Sequence, residues 1–318
     1  MSKQSAKSRR PVTKPTSTKN APVKGSKGTL FTWLSVGVVV VVIAVLVIVK
    51  TTSGGANGSG ANNSGFGAVS PTVLSELTGV PLATFNAVGV TSGAGAVTAP
   101  TRLKNQTELE TTGTSGTSVP EVFYEGAEFC PYCAAERWAT IIALSRFGTW
   151  SGLQNMVSST HAGEAYPGTP TFTFAKATYS SAYLAFKEVE SETRVWDNAV
   201  GFYTPFQKAT TSEAALVKKY DTTKFIPALP TSDVGAIPFL DFANEYVSAG
   251  ASYNPGLLAD QSRNSIAAGL SNAQSPITQA ILATANYQSA ALCTLTGNRP
   301  GSVCLSAGVK AAKKALGE

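Results

Sequence analysis

The most apolar segment of the chain is LFTWLSVGVVVVVIAVLVIV at residues 30–49, which contains no charged side chain. A helix of this length rises about 30 Å and matches the thickness of a bilayer core. Residues 1–29 are polar and carry eight Lys and Arg but no acidic side chain. We therefore predict a disordered cytoplasmic tail at 1–29, a single transmembrane helix at 30–49 and an extracytoplasmic body. A cleaved secretory signal is the alternative, but its apolar region would span only about 7 to 15 residues.

The pattern of polar and apolar positions divides the rest of the chain into three parts. Gly, Ser and Asn dominate residues 50–69, which predicts a flexible tether above the membrane. Residues 70–117 form an N-terminal arm, in which Ser70 as N-cap and Pro71 at the first helical position predict a short helix. Residues 118–318 have enough apolar side chains for one hydrophobic core, and they form the predicted main domain with a C-terminal helical region.

Within residues 118–318, strand-like and helix-like patterns follow one another. The apolar run EVFYEG predicts a buried strand. The next segment, PYCAAERWATIIALSRF, has helical spacing, with one face formed by Ala134, Trp138, Ile141, Ile142 and Ser145. Further along, the pattern predicts strands at 171–175 and 182–190, a short helix capped by Ser212, two strands joined at 243–245, and a helix that begins at Pro276 after Ser275. This order predicts an α/β domain.

The charge of the chain follows the predicted topology. The net charge is +6 and the isoelectric point is about 9.1. The tail and Lys50 hold nine of the 25 Lys and Arg, which leaves 16 basic residues against 19 acidic ones in the exported part. The basic excess is therefore a signal of membrane topology and not evidence for binding to nucleic acid.

Cys130 and Cys133 form the motif CPYC, between the predicted strand and the predicted helix. A sulfur at a helix N-terminus meets unpaired N–H groups and the positive end of the helix dipole, which stabilise its thiolate. Pro131 suits the first helical turn because it has no N–H to lose. We therefore predict that Cys130 attacks disulfides and that Cys133, one turn further in, resolves the mixed disulfide. No cofactor is predicted, because the sulfurs themselves carry the two electrons.

Three other roles compete for this cysteine pair. A zinc site needs about four N or S ligands, and His161 and the widely spaced Cys293 and Cys304 are the remaining candidates of these types. A structural staple suits an exported protein, but a loop of two residues restricts the unfolded chain little. A Cys/His hydrolase would need His161 as its base, and the polar sequence around that residue predicts a solvated side chain instead.

The remaining cysteines, Cys293 and Cys304, are predicted to form a structural disulfide. They flank TLTGNRPGSV, a turn segment after a helix, and a bridge there would contribute about 3 kcal/mol in the chain-entropy model. The alternative is a second exchange pair that passes electrons to Cys130 and Cys133, although this spacing lacks the helix-start context.

Four charged residues lie close to the CPYC motif in the sequence: Glu125, Glu128, Glu136 and Arg137. Their charges could tune the pKa of the cysteines. Charged side chains are most often solvated, however, and we predict exposed side chains at all four positions.

The motif FCPYC before a helix, with GAIPFLDFANEYV about a hundred residues later, resembles the thioredoxin superfamily. The resemblance implies a thioredoxin-like fold with helical insertions, in which a cis-proline before a later hairpin strand packs against the cysteine pair. It makes Cys130 the nucleophile and Cys133 the resolving thiol. The residues that would contact the substrate chain are Pro131, Tyr132, Ile237 and Pro238, with Pro238 as the cis-proline. The Pro-Tyr dipeptide matches glutaredoxins, while the length and export are similar to DsbA-type oxidoreductases.

A closer resemblance comes from PEVFYEGAEFCPYCAAERWATIIALSRFGTW together with IPFLDFANEYVSAGASYNP. These runs are similar to an uncharacterised prokaryotic family of membrane-anchored, thioredoxin-like proteins that is classified as a domain of unknown function. The similarity spans most of Pro120 to Cys304. Two positions differ from the better-known oxidoreductases: Tyr124 replaces the buried aspartate of thioredoxins, and Tyr132 replaces the histidine common in DsbA-type motifs. The direction of electron flow, oxidase or isomerase against reductase, therefore stays open.

Together these patterns predict a membrane-anchored, extracytoplasmic thiol:disulfide oxidoreductase. Its expected partners are the thiols and disulfides of exported proteins, a membrane or extracytoplasmic redox partner, and the membrane itself through the single anchor. Neither nucleic acid nor a metal ion is expected. The alternative from another class is a non-catalytic thioredoxin-like binding module, in which Cys130 and Cys133 form a permanent disulfide.

Overall fold

The computed structural model describes residues 66–91 and 97–318. The predicted cytoplasmic tail, the predicted transmembrane helix and the tether up to residue 65 lie outside these ranges. Within the described ranges, no helix combines the length and the apolar character needed to cross a membrane. All described residues belong to one unit, Ala61–Glu318.

This unit contains both helices and strands. The described residues form eight α-helices: α1 (Pro71–Thr78), α2 (Leu82–Val88), α3 (Pro131–Ser145), α4 (Thr211–Tyr220), α5 (Arg263–Gly269), α6 (Pro276–Leu295), α7 (Gly301–Cys304) and α8 (Ala307–Ala315). They also form twelve strands: β1 (Thr101–Arg102), β2 (Glu110–Thr112), β3 (Ser118–Gly126), β4 (Thr149–Ser151), β5 (Gln154–Val157), β6 (Pro170–Thr173), β7 (Thr178–Ser180), β8 (Ala185–Glu190), β9 (Glu192–Asp197), β10 (Phe202–Pro205), β11 (Phe239–Phe242) and β12 (Tyr246–Ala249). Two short 3₁₀ helices cover Thr231–Asp233 and Pro255–Leu258.

The central sheet is mixed and is built around β3. This strand pairs in parallel with β8, and its first residues pair antiparallel with β2. It also pairs antiparallel with β11, which continues to β12 and then to β1. The other strands form two-stranded ribbons, β4 with β7, β5 with β6, and β9 with β10. Because β3 has hydrogen-bonded neighbours along its whole length, the end that leads to Cys130 is held in place.

Successive residues of β3 point to opposite faces of the sheet. Val122 and Tyr124 belong to the larger hydrophobic core, to which α3 and α6 also contribute. Phe123 belongs to a smaller core on the other side, which contains Tyr220 of α4. The sheet therefore lies between layers of helices, and the predicted α/β class is confirmed.

The N-terminal arm packs on the main domain. Helices α1 and α2 bury Leu77 and Phe85 in the larger core, and strands β1 and β2 join the central sheet. Ser70 caps α1 by accepting a hydrogen bond from the N–H of Val73, and Pro71 occupies the first turn, as predicted. The sequence pattern did not indicate where this arm would pack.

Helix α3 differs from its prediction, because it is buried on nearly every side and not only on its apolar face. The sheet, β6 and α6 surround it. Its charged residues therefore have no route to solvent. This difference decides the chemistry around the cysteine pair.

Other elements agree with the sequence in position and differ in their ends. Helix α4 is capped by Thr210 and not by Ser212, because Thr210 and Glu213 form a reciprocal capping box. The strands predicted at 171–175 and 182–190 occur as the shorter β6 and β8. The two strands joined at 243–245 and the helix from Pro276 occur as predicted, whereas the pattern missed the short strands β4, β5, β7, β9 and β10.

The predicted disulfide between Cys293 and Cys304 is present, with a Cα–Cα distance of 5.6 Å. Both sulfurs are buried. Cys293 belongs to α6 and Cys304 to α7, so the bridge holds the chain reversal between these two helices.

We expect the double variant Cys293→Ala/Cys304→Ala to have a free energy of unfolding about 3 kcal/mol lower than wild type. The cause is the loss of a cross-link between residues 11 positions apart, which restricts the unfolded chain. Urea denaturation followed by circular dichroism measures this difference. A reductant that opens the bridge in unfolded wild-type molecules should remove most of the difference in unfolding free energy between wild type and the double variant. A difference that persists in reductant would show that lost packing, and not the cross-link, is responsible.

Candidate functional site

Cys130 is the N-cap residue of α3. Its backbone is extended, and its sulfur accepts a hydrogen bond from the N–H of Cys133 at 3.3 Å. Pro131 takes the first helical position, where a missing N–H has no consequence. The sulfur thereby occupies the place of a capping oxygen, at the positive end of a helix of 15 residues.

Strand β11 brings a second backbone segment to the same sulfur. The thiol of Cys130 donates to the carbonyl oxygen of Ile237 at 3.8 Å. The peptide bond between Ile237 and Pro238 is cis, and the buried Pro238 leads directly into β11. Ile237 itself is half-buried and packs, with Phe129, against the small cluster formed by Ala127 and the two cysteines. Residues about a hundred positions apart in the sequence thus meet at Cys130.

The two cysteines are free thiols and differ in their surroundings. Cys130 is 4% exposed, Cys133 is fully buried, and the neighbouring Tyr132 is 42% exposed. The ring of Tyr132 meets that of Tyr166 edge to face, with centroids 6.1 Å apart. Cys130 is therefore the sulfur nearer to solvent, and Tyr132 marks the surface above it.

The pKa values of the two thiols move in opposite directions. Burial raises the pKa of Cys130, but hydrogen bonds from the thiol and N–H of Cys133 and the charge of Arg137 outweigh it, and the pKa is lowered overall. Burial, the hydrogen bond to Cys130 and the negative charge on that sulfur raise the pKa of Cys133 well above its ordinary value. Cys130, at the helix start, is therefore the more acidic of the two thiols.

Arg137 was predicted to be solvated, and this prediction is wrong. The side chain is fully buried and binds the carboxylate of Glu190 in β8 through two hydrogen bonds, Nε to Oε1 at 2.9 Å and Nη2 to Oε2 at 2.5 Å. Nη2 also donates to the carbonyl oxygen of Ala127 at 2.8 Å. The ion pair lies in the interior because α3 is buried on nearly every side.

Glu128 and Glu136 are also buried, contrary to prediction. Glu128 accepts a hydrogen bond from the hydroxyl of Thr173 at 2.8 Å. Glu136 accepts from the N–H and the hydroxyl of Ser252, at 2.8 and 3.0 Å, and from the side-chain amide of Gln288 at 2.7 Å. Glu125 is half-buried. Both buried carboxyl groups thus accept hydrogen bonds from neutral donors.

Tyr124 lies six residues before Cys130, and its side chain is fully buried. Its ring meets Phe174 edge to face at 5.0 Å, and the guanidinium carbon of Arg137 lies 5.9 Å from the ring centroid. Among the described residues, its hydroxyl has no hydrogen-bond partner. A Cβ atom on Gly126 would lie 2.2 Å from this hydroxyl, so the position next to the tyrosine tip accepts only glycine.

An aromatic cluster beside Cys130 was not predicted. Phe129 stacks on Tyr203 with centroids 4.0 Å apart and meets Phe202, which is 47% exposed, at 5.7 Å.

The ring of His161 stacks on Trp196 at 3.9 Å, so this histidine is not the freely solvated side chain that we predicted. The ribbon of β9 and β10 supplies the three aromatic residues beyond 190. The aromatic residues that flank the turn DNAVG are the sequence feature that could have indicated this cluster.

Metal ligands do not converge in the described ranges: no group of three or more His, Cys, Asp or Glu residues is placed there to hold a metal ion.

A family model described as "Domain of unknown function (DUF929)" matches residues 108–294. The chain belongs to this DUF929 family. The match covers both CPYC cysteines, the Arg137–Glu190 pair and Ile237, and it ends before Cys304. No curated protein and no solved structure matches the chain. The segment that matches the DUF929 family thus contains the complete cysteine site but only Cys293 of the disulfide.

Glu136 gives the DUF929 domain a stability that depends on pH. Burial raises its pKa from 4.5 to about 7, although the hydrogen bonds from Ser252 and Gln288 offset part of the rise. The folded state therefore binds more protons than the unfolded state between these pH values, and stability falls as the pH rises through this window.

Glu136→Gln cannot ionise, so we expect it to lose the part of this trend that comes from Glu136, while Glu188 and Asp241, whose pKa values burial also raises to about 7, keep their contributions. Relative to the variant, wild type should lose about 3 kcal/mol of unfolding free energy between pH 4.5 and 7.5. Urea denaturation across this range measures the difference. Glu110→Gln, a change at an exposed carboxylate, is the matched control. A difference between wild type and Glu136→Gln that stays constant with pH would contradict the expectation.

Proposed function

We propose that the chain is a membrane-anchored, extracytoplasmic thiol:disulfide oxidoreductase whose redox centre is the Cys130–Cys133 pair. The observation that carries the proposal is the asymmetry of the two thiols. One sulfur caps α3 and accepts the N–H of Cys133, while the other is fully buried behind it. A thiolate former paired with a resolving thiol is the arrangement that disulfide exchange requires.

The proposal includes a thioredoxin-like domain. Three features support it: the strand β3 leads into CPYC, CPYC opens a helix, and an X-Pro segment before the hairpin strand β11 lies against the first cysteine. The sequence resemblance rests on the same three features. The helices α5 to α8 would then be the insertions and additions that this resemblance implies.

Exchange proceeds in two steps. The thiolate of Cys130 attacks one sulfur of a substrate disulfide, so that a mixed disulfide forms and the other substrate sulfur leaves as a thiolate. Cys133 then loses its proton and attacks the sulfur of Cys130, which releases the second substrate thiolate and leaves a Cys130–Cys133 disulfide. The substrate gains two electrons and the pair loses two. The same steps in reverse oxidise a substrate dithiol.

The substrate chain is proposed to lie across Tyr132 and Ile237. Tyr132 is the exposed residue of the CPYC motif, and Ile237 is half-buried next to the sulfur of Cys130. Pro131 and Pro238 are buried, and their part is to shape the two segments that meet there. Exported proteins with thiols or disulfides are the proposed substrates, and a membrane or extracytoplasmic protein is the proposed redox partner.

The proposed location rests on the sequence of the tail and the apolar segment at 30–49. The Cys293–Cys304 disulfide supports it, because disulfides persist in oxidising compartments outside the cytoplasm. The direction of electron flow follows from the reduction potential of the Cys130–Cys133 pair. A value near −120 to −180 mV would indicate an oxidase or isomerase, and one near −270 mV a reductase.

Cys130→Ala should reduce exchange with a disulfide-containing test protein to the uncatalysed rate, because the attacking sulfur is gone. Cys133→Ala should instead accumulate mixed disulfides, which non-reducing electrophoresis and mass spectrometry detect. Cys293→Ala/Cys304→Ala is the control, and it should exchange at the wild-type rate at temperatures where it is folded. A Cys130→Ala protein that exchanges normally would defeat the proposed function.

The accessibility of the pair distinguishes an enzyme from a non-catalytic binding module. In folded wild type, a mild thiol should reduce a Cys130–Cys133 disulfide, and iodoacetamide should then alkylate Cys130 before Cys133, because Cys130 is 4% exposed and Cys133 is fully buried. Mass-spectrometric mapping over time measures the order. A pair that resists reduction until the protein unfolds would favour the module with a permanent disulfide.

A further inference from the structure

Arg137 lies one helical turn beyond Cys133, on the same face of α3. Its Nη2 donates to the carbonyl oxygen of Ala127 at 2.8 Å, and the backbone N–H of Cys130 donates to the same oxygen at 3.3 Å. Ala127 also packs directly against both cysteines. A single carbonyl group therefore connects the buried cation to the loop that holds the attacking sulfur.

Glu190 fixes the orientation of this cation. The carboxylate binds Nε and Nη2 together, and a planar guanidinium held along one edge cannot rotate. Nη1 has no hydrogen-bond acceptor among the described residues. The ion pair thus leaves part of the guanidinium uncompensated inside the protein.

We propose that Arg137 is a positioning residue that stabilises the thiolate of Cys130 from the protein interior, with Glu190 setting how much of its charge acts on the two sulfurs. The inference rests on the proposed thiol chemistry of this pair. A cation in a poorly solvated interior acts on a nearby anion more strongly than it would in water. In both cysteines burial raises the pKa, and the charge of Arg137 opposes that rise.

Other titratable groups face Arg137 from the neighbouring elements. Tyr124 of β3 lies under the guanidinium, and its burial keeps it neutral by raising its pKa well above 10. The carboxyl groups of Glu128 and Glu188 also interact with the charge of Arg137, and burial raises the pKa of both. Glu190 is the group that binds Arg137 directly. Removing the charge of Glu190 should therefore have the largest effect on the field of the cation.

Three variants of the full-length chain test the proposal. Glu190→Gln keeps the shape of the acceptor and removes its negative charge. Arg137→Met/Glu190→Gln removes both charges and leaves no unpaired buried ion. Arg137→Lys keeps the positive charge and loses the bidentate geometry. Circular dichroism and urea denaturation establish that each variant is folded.

Two measurements are made on each variant. The alkylation rate of Cys130 against pH, mapped by mass spectrometry, gives its thiolate fraction. Equilibration in glutathione buffers gives the reduction potential of the pair. The double variant should have a thiolate fraction about tenfold lower at neutral pH and an equilibrium shifted about tenfold toward the disulfide, equivalent to about 30 mV. Glu190→Gln should shift both quantities in the opposite direction, and Arg137→Lys should stay within about threefold of wild type.

Opposite shifts in Glu190→Gln and the double variant support the proposal, because a purely structural role would move both in the same direction. Equal thiolate fractions in wild type and both variants, or shifts of the same sign, overturn it. If the double variant does not fold, an unchanged thiolate fraction in Glu190→Gln overturns it alone. A wild-type pair that never equilibrates with glutathione defeats the proposed function, and the alkylation profile still decides whether Arg137 stabilises the thiolate.

Discussion

The buried ion pair between Arg137 and Glu190 is the contact on which the geometry of the site depends. It joins α3 to β8, the parallel neighbour of β3, and so fixes the helix that carries the cysteines against the strand that leads to them. Burying two charges is tolerable only with good geometry and further hydrogen bonds. The bidentate contact and the carbonyl of Ala127 supply both. The helix that places the two sulfur atoms is thus held against β8 by an electrostatic contact beneath them.

Local signals made much of the framework predictable. The helix starts at Ser70-Pro71 and Ser275-Pro276 follow from side-chain capping and the fixed backbone angle of proline, which act within one turn. The hairpin turn at 243–245 is of the same kind: Asn244 adopts a positive φ, which asparagine accepts more readily than most residues. The packing of the N-terminal arm was beyond reach, because strands β1 and β2 are too short to show a period and β1 pairs with β12, far away in the sequence.

The site was predictable only in part, and for the same reason. Spacing and a helix start were enough to single out Cys130 and Cys133, and the family resemblance pointed to Ile237. The role of Arg137 could not be predicted, because its partner Glu190 lies 53 positions away. A charged residue in a helix is also expected to be solvated unless the surroundings of the whole helix are known. The aromatic cluster at Phe129 needs the β9–β10 ribbon to be folded back onto the loop.

Gly126 and Tyr124 lie two positions apart on the same face of β3. The hydroxyl of Tyr124 occupies the space that a side chain at position 126 would need. Their identities are therefore not independent. A chain that changes the tyrosine to a shorter residue frees position 126 for alanine or serine, whereas a chain that keeps the tyrosine is bound to glycine. Among sequences that share this arrangement, the two positions should vary as a pair. That joint variation would reflect the steric contact between the two residues on the strand under the cysteines, independently of any redox activity.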